Sequence, residues 1–393
     1  MVDGVTRDRT RVLLTFAFET LDDVRRREFC RPPDQLLLQV IADGRTESVT
    51  VADPWRSRIA DVARGRWSRT ERRVVIGGSP LTHVRPLRLR RTDPTDLASV
   101  RDQYQRYGRL LRRRCTPQDV LVTANPFVAA WAAPMLGIRC FYYARDDWAG
   151  HTFFRRWWPV LDAAQGEVGA GTAEIVAVSE TLGHRLRPDG PVTVLPNGVA
   201  GHVWRKRLGW PTRLGPHPGV YALYSGSIGP RLDTELLARV VGHPALDAVL
   251  IAGPVESPAL RTKLAALPRV RVLGDLDQAT LAAVTFNAAV GVVPHVVNRQ
   301  TTASSPLKVF EYLAAGLPVV TTDLQSIEDL GERVQPCGGP AEWVSALHRA
   351  IDAGAASEAE RSETLAELDW TKRLRPLVDA VVQPVPRPLS EPR

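Results

Sequence analysis

The sequence predicts an α/β protein with two domains, each built on a parallel sheet. Short apolar strands alternate with helices along the chain, which is the pattern of parallel βαβ units. The length of 393 residues exceeds what one ordinary core accommodates and suits two domains. The third observation is the segment 288–322, which has the pattern of a buried strand, a loop, a helix and a second buried strand.

The first domain is predicted to end at residue 198, after the turn Pro196-Asn197-Gly198. Apolar runs predict its strands at 11–18, 49–52, 73–76, 119–124, 139–143, 173–179 and 192–195. Its helices are predicted at 33–41, at 93–113, between the strands 119–124 and 139–143, and from residue 180 to 186.

Residues 199–218 contain three prolines and show no periodicity, so they are predicted to be the linker between the domains. The second domain is expected at 219–369, with strands that include 221–224, 248–254 and 270–274 and a helix at 234–241. A C-terminal helix is predicted at 370–382. Residues 383–393 include four prolines and are predicted to be a disordered tail.

The most informative element is the helix in the segment 288–322, because both of its ends are marked. Ser305 is the predicted N-cap, and Pro306 is the predicted first helical residue, where a missing N–H does no harm. Gly316 supplies the predicted left-handed stop after the helix.

Lys308, in the first turn of this helix, predicts an anionic ligand. The helix dipole favours anions at this end, so a phosphate or diphosphate would be bound by the N-terminus and by Lys308 together. Glu311, one turn later, can accept hydrogen bonds from sugar hydroxyls. The alternative is an exposed ion pair of these two residues. The preceding strand favours the ligand, because ligands bind beyond the carboxyl ends of parallel strands.

Residues 306–320 resemble the donor-binding segment of GT-B glycosyltransferases, most closely that of glycosyltransferase family 4. The resemblance continues through 175–182, 192–199, 221–228, 248–254 and 270–274. It implies the GT-B fold, in which two Rossmann-like parallel-sheet domains face each other across a cleft. It also implies that the helix at 370–382 returns to the first domain. The implied activity is retaining sugar transfer from a nucleotide-diphosphate sugar, with no metal and no other cofactor.

The resemblance also assigns donor contacts. It implies that Glu311 holds the ribose and that the backbone of Ser305, Pro306 and Leu307 holds the diphosphate with Lys308. The first of the two glutamates typical of the family falls at Ala303. Contacts to the sugar must therefore come from other residues, and an inactive, degenerate member of the family would also explain this alanine.

A glycine-containing loop between the strand 221–224 and the helix 234–241 is a second candidate for phosphate binding. Gly226 and Ser227 let the backbone approach a phosphate, and Arg231 can add a bidentate contact. The alternative is an ordinary turn with a surface arginine. Asp233 is predicted to be the N-cap of the helix that follows.

Two residues of the first domain are candidates for catalysis. Asp146 and Asp147 follow an apolar strand, and one of them can orient an acceptor hydroxyl, act as a base or hold a metal. We prefer Asp146, with Asp147 as a helix cap, and take His151 as the second candidate. The segments 31–36 and 143–148 resemble bacterial polysaccharide-type members of the family.

Positive charge is concentrated at the start of the chain. Residues 1–120 hold 25 arginines, no lysine and 16 acidic residues, a net charge of +9, whereas the remainder has a net charge of −1. This asymmetry suits an anionic acceptor or an anionic membrane surface. Arginine-rich coding is the alternative explanation, and no nucleic-acid motif accompanies the charge.

Aromatic residues and arginines interleave in 141–158, which suits a membrane interface or a stacking platform, with Trp157 and Trp158 partly exposed.

The sequence favours a cytoplasmic protein, or one bound at the inner face of the membrane. No apolar run reaches the length of a membrane span, and the first ten residues have no apolar signal-peptide core. The four cysteines indicate neither a disulfide framework nor a zinc site.

The expected function is glycosyl transfer to a hydroxyl of a cell-wall polysaccharide, a glycolipid or a secondary metabolite. The expected partners are a nucleotide sugar and an anionic, lipid-linked or small-molecule acceptor. One alternative is a catalytically degenerate accessory protein that binds a partner. A nucleotide-sugar epimerase is less favoured, because it needs acid/base carboxylates on both sides of the sugar and position 303 is alanine.

Overall fold

The computed structural model describes residues 9–57, 59, 70–89, 92–324 and 330–384. The chain forms two compact units. Unit 1 comprises Met1–Leu195 with Leu374–Arg393, and unit 2 comprises Pro196–Arg373. Within the described ranges, no helix combines the length and the hydrophobicity needed to cross a bilayer.

The strands described in unit 1 are β1 (Thr10–Thr15), β2 (Thr46–Ala52), β3 (Arg56–Ser57), β4 (Glu71–Ile76), β5 (Ser79–Val84), β6 (Leu87–Arg88), β7 (Val120–Thr123), β8 (Arg139–Ala144), β9 (Glu174–Ala177) and β10 (Thr193–Val194). Eight of these described strands form one sheet in the order β10-β9-β8-β7-β1-β2-β5-β4. Its neighbours run parallel except for the antiparallel hairpin β4–β5. Strands β3 and β6 form a separate parallel ladder.

The helices described in the first segment of unit 1 are α1 (Leu21–Arg26), α2 (Pro32–Ala42), α3 (Leu97–Arg112), α4 (Ala133–Leu136), α5 (Trp158–Ala170) and α6 (Glu180–Leu186). A π-helical segment, Val128–Ala132, precedes α4, and two 3₁₀ segments, Trp148–Gly150 and Thr152–Trp157, precede α5. The predicted strands and helices of this unit are therefore present, with ends displaced by a few residues.

The sequence analysis missed strand β5. Pro80 lies inside it, and a proline in an apolar run argues against a strand. The sequence feature that could have predicted β5 is the pair Gly77-Gly78. These residues have positive φ angles of 57° and 82° and form the turn of the hairpin. Two glycines in this conformation are typical of a tight hairpin turn.

Unit 2 contains a parallel sheet of β11 (Tyr221–Ser225), β12 (Ala248–Ala252), β13 (Val270–Gly274), β14 (Val290–Val293), β15 (Val319–Thr322) and β16 (Val334–Cys337). The order of its described strands is β13-β12-β11-β14-β15-β16. The chain therefore builds outward from β11 to β13 and then continues on the other side from β14. Ligands of open α/β sheets bind at such a reversal, beyond the carboxyl ends of the two central strands.

The helices described in unit 2 are α7 (Gly201–Trp204), α8 (Thr234–Val241), α9 (Pro258–Ala265), α10 (Gln278–Phe286), α11 (Arg299–Ala303), α12 (Leu307–Ala314), α13 (Pro340–Ala353), α14 (Glu358–Leu368) and α15 (Trp370–Arg373). Two apolar clusters cover the two faces of the sheet. Tyr221 and Leu223 of β11 belong to one cluster, and Ala222 and Tyr224 to the other, as alternation along a strand requires.

The segments predicted as linker and C-terminal helix can now be located. Residues 199–218 lie within unit 2, where Val199 exchanges backbone hydrogen bonds with Leu368 and Trp370 at 2.8 and 3.0 Å. The segment 370–382 is divided into α15 and α16 (Arg375–Val381), and α16 belongs to unit 1. Of the predicted tail, residues 385–393 lie outside the described residues.

Candidate functional site

Helix α12 begins one residue later than the sequence predicts. Pro306 is its N-cap and Leu307 its first residue, so the prediction of Ser305 as the cap was wrong. Ser305 is engaged by Asn197, whose backbone N–H donates to Oγ at 3.3 Å and whose Nδ2 donates to the carbonyl oxygen at 2.5 Å. Within the described residues, the backbone N–H groups of Leu307 and Lys308 have no acceptor, so both are available to an anion.

The predicted end of this helix is confirmed. Gly316 has a φ of +80°, and its N–H donates to the carbonyl of Leu313 at 2.9 Å. The N–H of Leu317 donates to the carbonyl of Tyr312, also at 2.9 Å. This pair of bonds is the Schellman motif, which fixes the end of α12 and hence the register of its side chains.

Lys308 is buried beside the loop that follows β11. Its side chain is 7% exposed, with Nζ 3.8 Å from the centroid of the Tyr224 ring and 3.4 Å from His295 Nε2. No ion pair joins it to a carboxylate among the described residues, so the alternative of an exposed ion pair was wrong. Burial, together with repulsion from Arg231, holds the pKa of Lys308 well below its usual range, although Glu311 opposes the shift.

His295 and Tyr224 complete this basic cluster, and the sequence analysis identified neither residue. His295 is 3% exposed, with Nε2 3.3 Å from Tyr224 Oη, and its Nδ1 has no hydrogen-bond partner in the described part of the chain. Burial and the charges of Lys308 and Arg231 hold the pKa of His295 well below its usual range, so the imidazole is neutral. The available signal was position, because Pro294 and His295 directly follow β14.

The loop 226–233 brings Arg231 to this cluster. Gly226 has a φ of +107°, and a Cβ there would lie 3.3 Å from Lys308 Cε and 3.4 Å from Nζ. Backbone hydrogen bonds of 2.9 Å join Asp233 N–H to Pro294 and Val296 N–H to Arg231. The loops after β11 and β14 are therefore tied together where the strand order reverses. The backbone of Ser227, also predicted for the diphosphate, lies in this loop.

Asp233 has the structural role that the sequence predicts. Its carboxylate accepts hydrogen bonds from the N–H groups of Glu235 and Leu236 at 3.0 and 2.9 Å, which caps α8. A capping carboxylate is occupied by these two donors, and the phosphate-binding character of the loop therefore depends on Arg231 and the backbone.

Glu311 presents a carboxylate with no hydrogen bond or ion pair to any described residue, although it lies one helical turn from Lys308. Its side chain is half-buried. Burial raises the pKa of Glu311 to about 7, against the opposing attraction of Lys308. A carboxylate without a partner in a partly buried position destabilises the free protein, and it is suited to accept hydrogen bonds from a ligand.

Helix α12 is held against the sheet by Tyr312. Its Oη accepts a hydrogen bond from the N–H of Ser225 at 2.8 Å and lies 3.1 Å from Ser225 Oγ. A Cβ at Gly291 of β14 would lie 2.2 Å from the Tyr312 ring, so this packing requires glycine there. The close approach positions Lys308 and Glu311 relative to the ends of β11 and β14.

Ala303, at the position of the first family glutamate, ends α11 and is 0% exposed. A fully buried methyl group offers no contact to a sugar. That contacts to the donor sugar come from other residues stays a prediction.

The two catalytic candidates lie in unit 1, just beyond β8. Asp146 is half-buried and stands beside Asp147, which is 1% exposed and accepts a hydrogen bond from Arg185 at 3.1 Å. Asp147 occupies the N-cap position of Trp148–Gly150. His151 Nδ1 accepts from the N–H of Phe153 at 3.3 Å, which gives this imidazole a capping role. Asp146 therefore remains our preferred candidate.

Within the described ranges, no group of three or more His, Cys, Asp or Glu side chains is arranged to hold a metal ion. All four cysteines are free thiols.

Comparison with known proteins identifies a family match for one segment of the chain and solved structures with a similar fold. Residues 222–353 match the sequence family described as "Glycosyl transferases group 1". No match was found among curated protein sequences.

Several solved structures are similar to the whole chain. Sucrose-phosphate synthase from Thermosynechococcus elongatus is 14% identical with a TM-score of 0.66, over 95% of this chain and 98% of that one. An α,α-trehalose-phosphate synthase (UDP-forming) from Burkholderia vietnamiensis is 14% identical with a TM-score of 0.65, over 95% and 98%. Anabaena HepE in complex with UDP and glucose is 12% identical with a TM-score of 0.63, over 94% and 99%. At these identities the likeness establishes the fold.

Proposed function

We propose a donor and a mode of transfer for this chain, which is a glycosyltransferase of the GT-B fold with a glycosyl transferases group 1 domain at residues 222–353. The donor is a nucleotide-diphosphate sugar bound by unit 2, and the sugar passes to an acceptor hydroxyl. The similar HepE structure contains UDP and glucose, which supports a donor of this class.

One observation carries this proposal. Arg231, Lys308 and the free N–H groups of α12 lie together where the sheet order of unit 2 reverses, and no described carboxylate forms an ion pair with either side chain. An unpaired buried cation destabilises the free protein, and a diphosphate supplies the missing negative charge through charge-assisted hydrogen bonds.

The same groups can promote the departure of the diphosphate. Sugar transfer places growing negative charge on the leaving diphosphate, and fixed donors aimed at that charge lower the barrier. We propose that Lys308, Arg231 and the α12 amides do this without a metal ion, and that Glu311 holds the ribose. Retention of configuration and a role for Asp146 in orienting the acceptor are proposed from the family resemblance.

The acceptor is proposed to bind to unit 1, in a cytoplasmic protein that acts in polysaccharide, glycolipid or natural-product biosynthesis. The net charge of +9 in residues 1–120 supports an anionic acceptor. A turnover assay with nucleotide sugars and an acceptor panel, with and without a partner protein, tests the enzyme directly. Turnover by the chain alone is expected. Turnover only with a partner would instead support an accessory role.

Replacing Glu311 with glutamine is expected to weaken nucleotide binding about tenfold while stabilising the free protein at pH 8. The folded-state pKa of Glu311 is raised to about 7. The stability contributed by its neutral form is therefore complete below the unfolded pKa and is lost as the pH rises through the folded pKa. At pH 4, below the usual glutamate pKa of 4.5, the two proteins should melt together, and at pH 8 the variant should melt higher. Equal nucleotide affinity in the two proteins would contradict the ribose contact.

A membrane contact is proposed for the segment 152–157 of unit 1. Phe153 is 77% exposed, and the guanidinium groups of Arg155 and Arg156 lie 5.9 and 5.1 Å from the rings of Trp158 and Trp157. Both tryptophans are half-buried, as the sequence predicts. An apolar ring flanked by arginines suits an anionic bilayer surface.

Phe153→Ser is expected to reduce sedimentation with liposomes that contain anionic lipid about tenfold, because the phenyl ring loses its burial in the bilayer. Val75→Ser is the matched control, since Val75 is also in unit 1 and is 62% exposed. Equal sedimentation of the two variants would remove the membrane contact from the proposal.

A further inference from the structure

Two sequence segments that are far apart in the chain meet around one carboxylate in unit 1. Glu19, four residues after β1, accepts a hydrogen bond from Arg145, directly after β8, at 2.6 Å. The same oxygen lies 3.2 Å from Arg31 Nη1 and 3.3 Å from Arg27 Nη1. Three guanidinium groups from the segments 19–36 and 143–148 thus converge on Oε1 of Glu19.

One of these arginines, Arg27, also forms a bidentate pair with a buried carboxylate. Arg27 Nε and Nη2 donate to the two carboxylate oxygens of Asp34 at 2.7 and 2.5 Å. Asp34 is 0% exposed and also caps the start of α2 through the N–H of Arg31. The Arg27–Asp34 fork fixes the loop between α1 and α2 and is neutral as a pair.

Arg31 and Arg145 are left with donors that the described residues do not use. The Arg145 side chain is 9% exposed, and its Nε has no hydrogen-bond partner, since the nearest carboxylate oxygen of Asp146 is 4.0 Å away. The Arg31 side chain is 45% exposed, and within the described residues its guanidinium forms a hydrogen bond and ion pair with Glu19 alone. The other oxygen of Glu19 accepts from the N–H of Phe18 at 3.0 Å.

Burial and the neighbouring charges shift the pKa values of Glu19 and Arg31. Burial alone would raise the pKa of Glu19, but Arg145, Arg27 and Arg31 outweigh it and hold that pKa well below its usual range. Burial, followed by repulsion from Arg145 and Arg27, lowers the pKa of Arg31. The guanidinium of Arg31 therefore lies in a positive potential that an added anion would relieve.

We propose that the acceptor carries a phosphate or a carboxylate, and that Arg31 and Arg145 bind this group at the carboxyl edge of β1 and β8, beside Asp146. This inference rests on the proposed function and names the acceptor class. Guanidinium groups bind both kinds of anion through paired, charge-assisted hydrogen bonds. The position also agrees with the rule that ligands of parallel sheets bind beyond the carboxyl ends of the strands.

The test uses ligand-observed NMR titrations of the full chain with glucose 6-phosphate, glucuronate and glucose. All measurements are made in a Lys308→Met background, so that anion binding at the site of unit 2 is weakened. Glucose 6-phosphate, glucuronate or both should bind at least about tenfold more tightly than glucose. Selective binding of one probe identifies phosphate or carboxylate as the recognised group.

Arg31→Gln should reduce the affinity for the preferred probe to that for glucose, whereas Arg26→Gln should not. Arg26 is a suitable control because it lies in the same segment, is 69% exposed and pairs with Asp23. Arg145→Lys keeps the buried positive charge but loses the paired donors of the guanidinium group, so we expect a partial loss of affinity for the preferred probe. Equal binding of all three sugars, or equal effects of Arg31→Gln and Arg26→Gln, would overturn the proposal. Because no nucleotide is used, this result is independent of whether unit 2 binds a donor.

Discussion

Lys308→Met is expected to weaken binding of the nucleoside diphosphate about 10- to 100-fold without lowering the free energy of unfolding. The lysine is 7% exposed and forms no ion pair with a described carboxylate, so its charge destabilises the free protein. Methionine has a similar volume and removes that charge. Isothermal titration measures the affinity and thermal unfolding measures the stability.

Lys263→Met is the matched control, because Lys263 is an exposed lysine of the same unit and should change neither quantity. If Lys308→Met destabilises the protein and leaves the affinity unchanged, Lys308 is a structural residue and the diphosphate assignment fails.

The same lysine makes the affinity depend on pH. The pKa of Lys308 is depressed in the free protein, and a bound anion raises it, so binding takes up a proton at pH values between the free-state and the bound-state pKa. Between pH 7.5 and 9.5 the affinity of the wild-type protein should fall as the pH rises. The fall should be shallower in Lys308→Met. Equal slopes would contradict proton uptake by this residue.

Arg231→Gln is expected to weaken binding of the nucleoside diphosphate by a similar factor, about 10- to 100-fold, because a charge-assisted hydrogen bond to the diphosphate is lost. Arg239→Gln, on the exposed face of α8, is the matched control. If Arg231→Gln loses no more affinity than Arg239→Gln, Arg231 is a surface residue of an ordinary turn and does not bind the diphosphate.

The losses of nucleoside diphosphate affinity caused by Arg231→Gln and Lys308→Met should not be additive. Arg231 lowers the pKa of both Lys308 and His295, so its removal lets the remaining lysine hold its proton more firmly. A double-mutant cycle at pH 8 should therefore show a coupling of about 0.5 kcal/mol or more, whereas independent sites add within that margin.

The part of the site on α12 could be predicted because local rules determine it. The glycine stop fixes where α12 ends, and the three-residue spacing places Lys308 and Glu311 on one side of it. The start was misplaced by one residue because Asn197, 108 positions earlier, engages Ser305. A cap that is decided by a contact so distant in sequence is not visible in a local pattern.

The burial of Lys308 could not be predicted from the sequence either. It depends on Tyr224 and His295, which reach the lysine only because β11 and β14 are neighbours in the sheet. The arginine cluster of unit 1 has the same origin. Arg31 and Arg145 are 114 positions apart, and only the folded sheet places both against Glu19.

The most direct test of the donor site is an isothermal titration of the wild-type protein with UDP, GDP, dTDP and ADP, with Lys308→Met titrated in parallel. We expect one nucleoside diphosphate to bind the wild-type protein and to bind the variant about 10- to 100-fold more weakly. Binding of none of the four, or equal binding by both proteins, would contradict the assignment of Arg231, Lys308 and α12 as a nucleotide-diphosphate site.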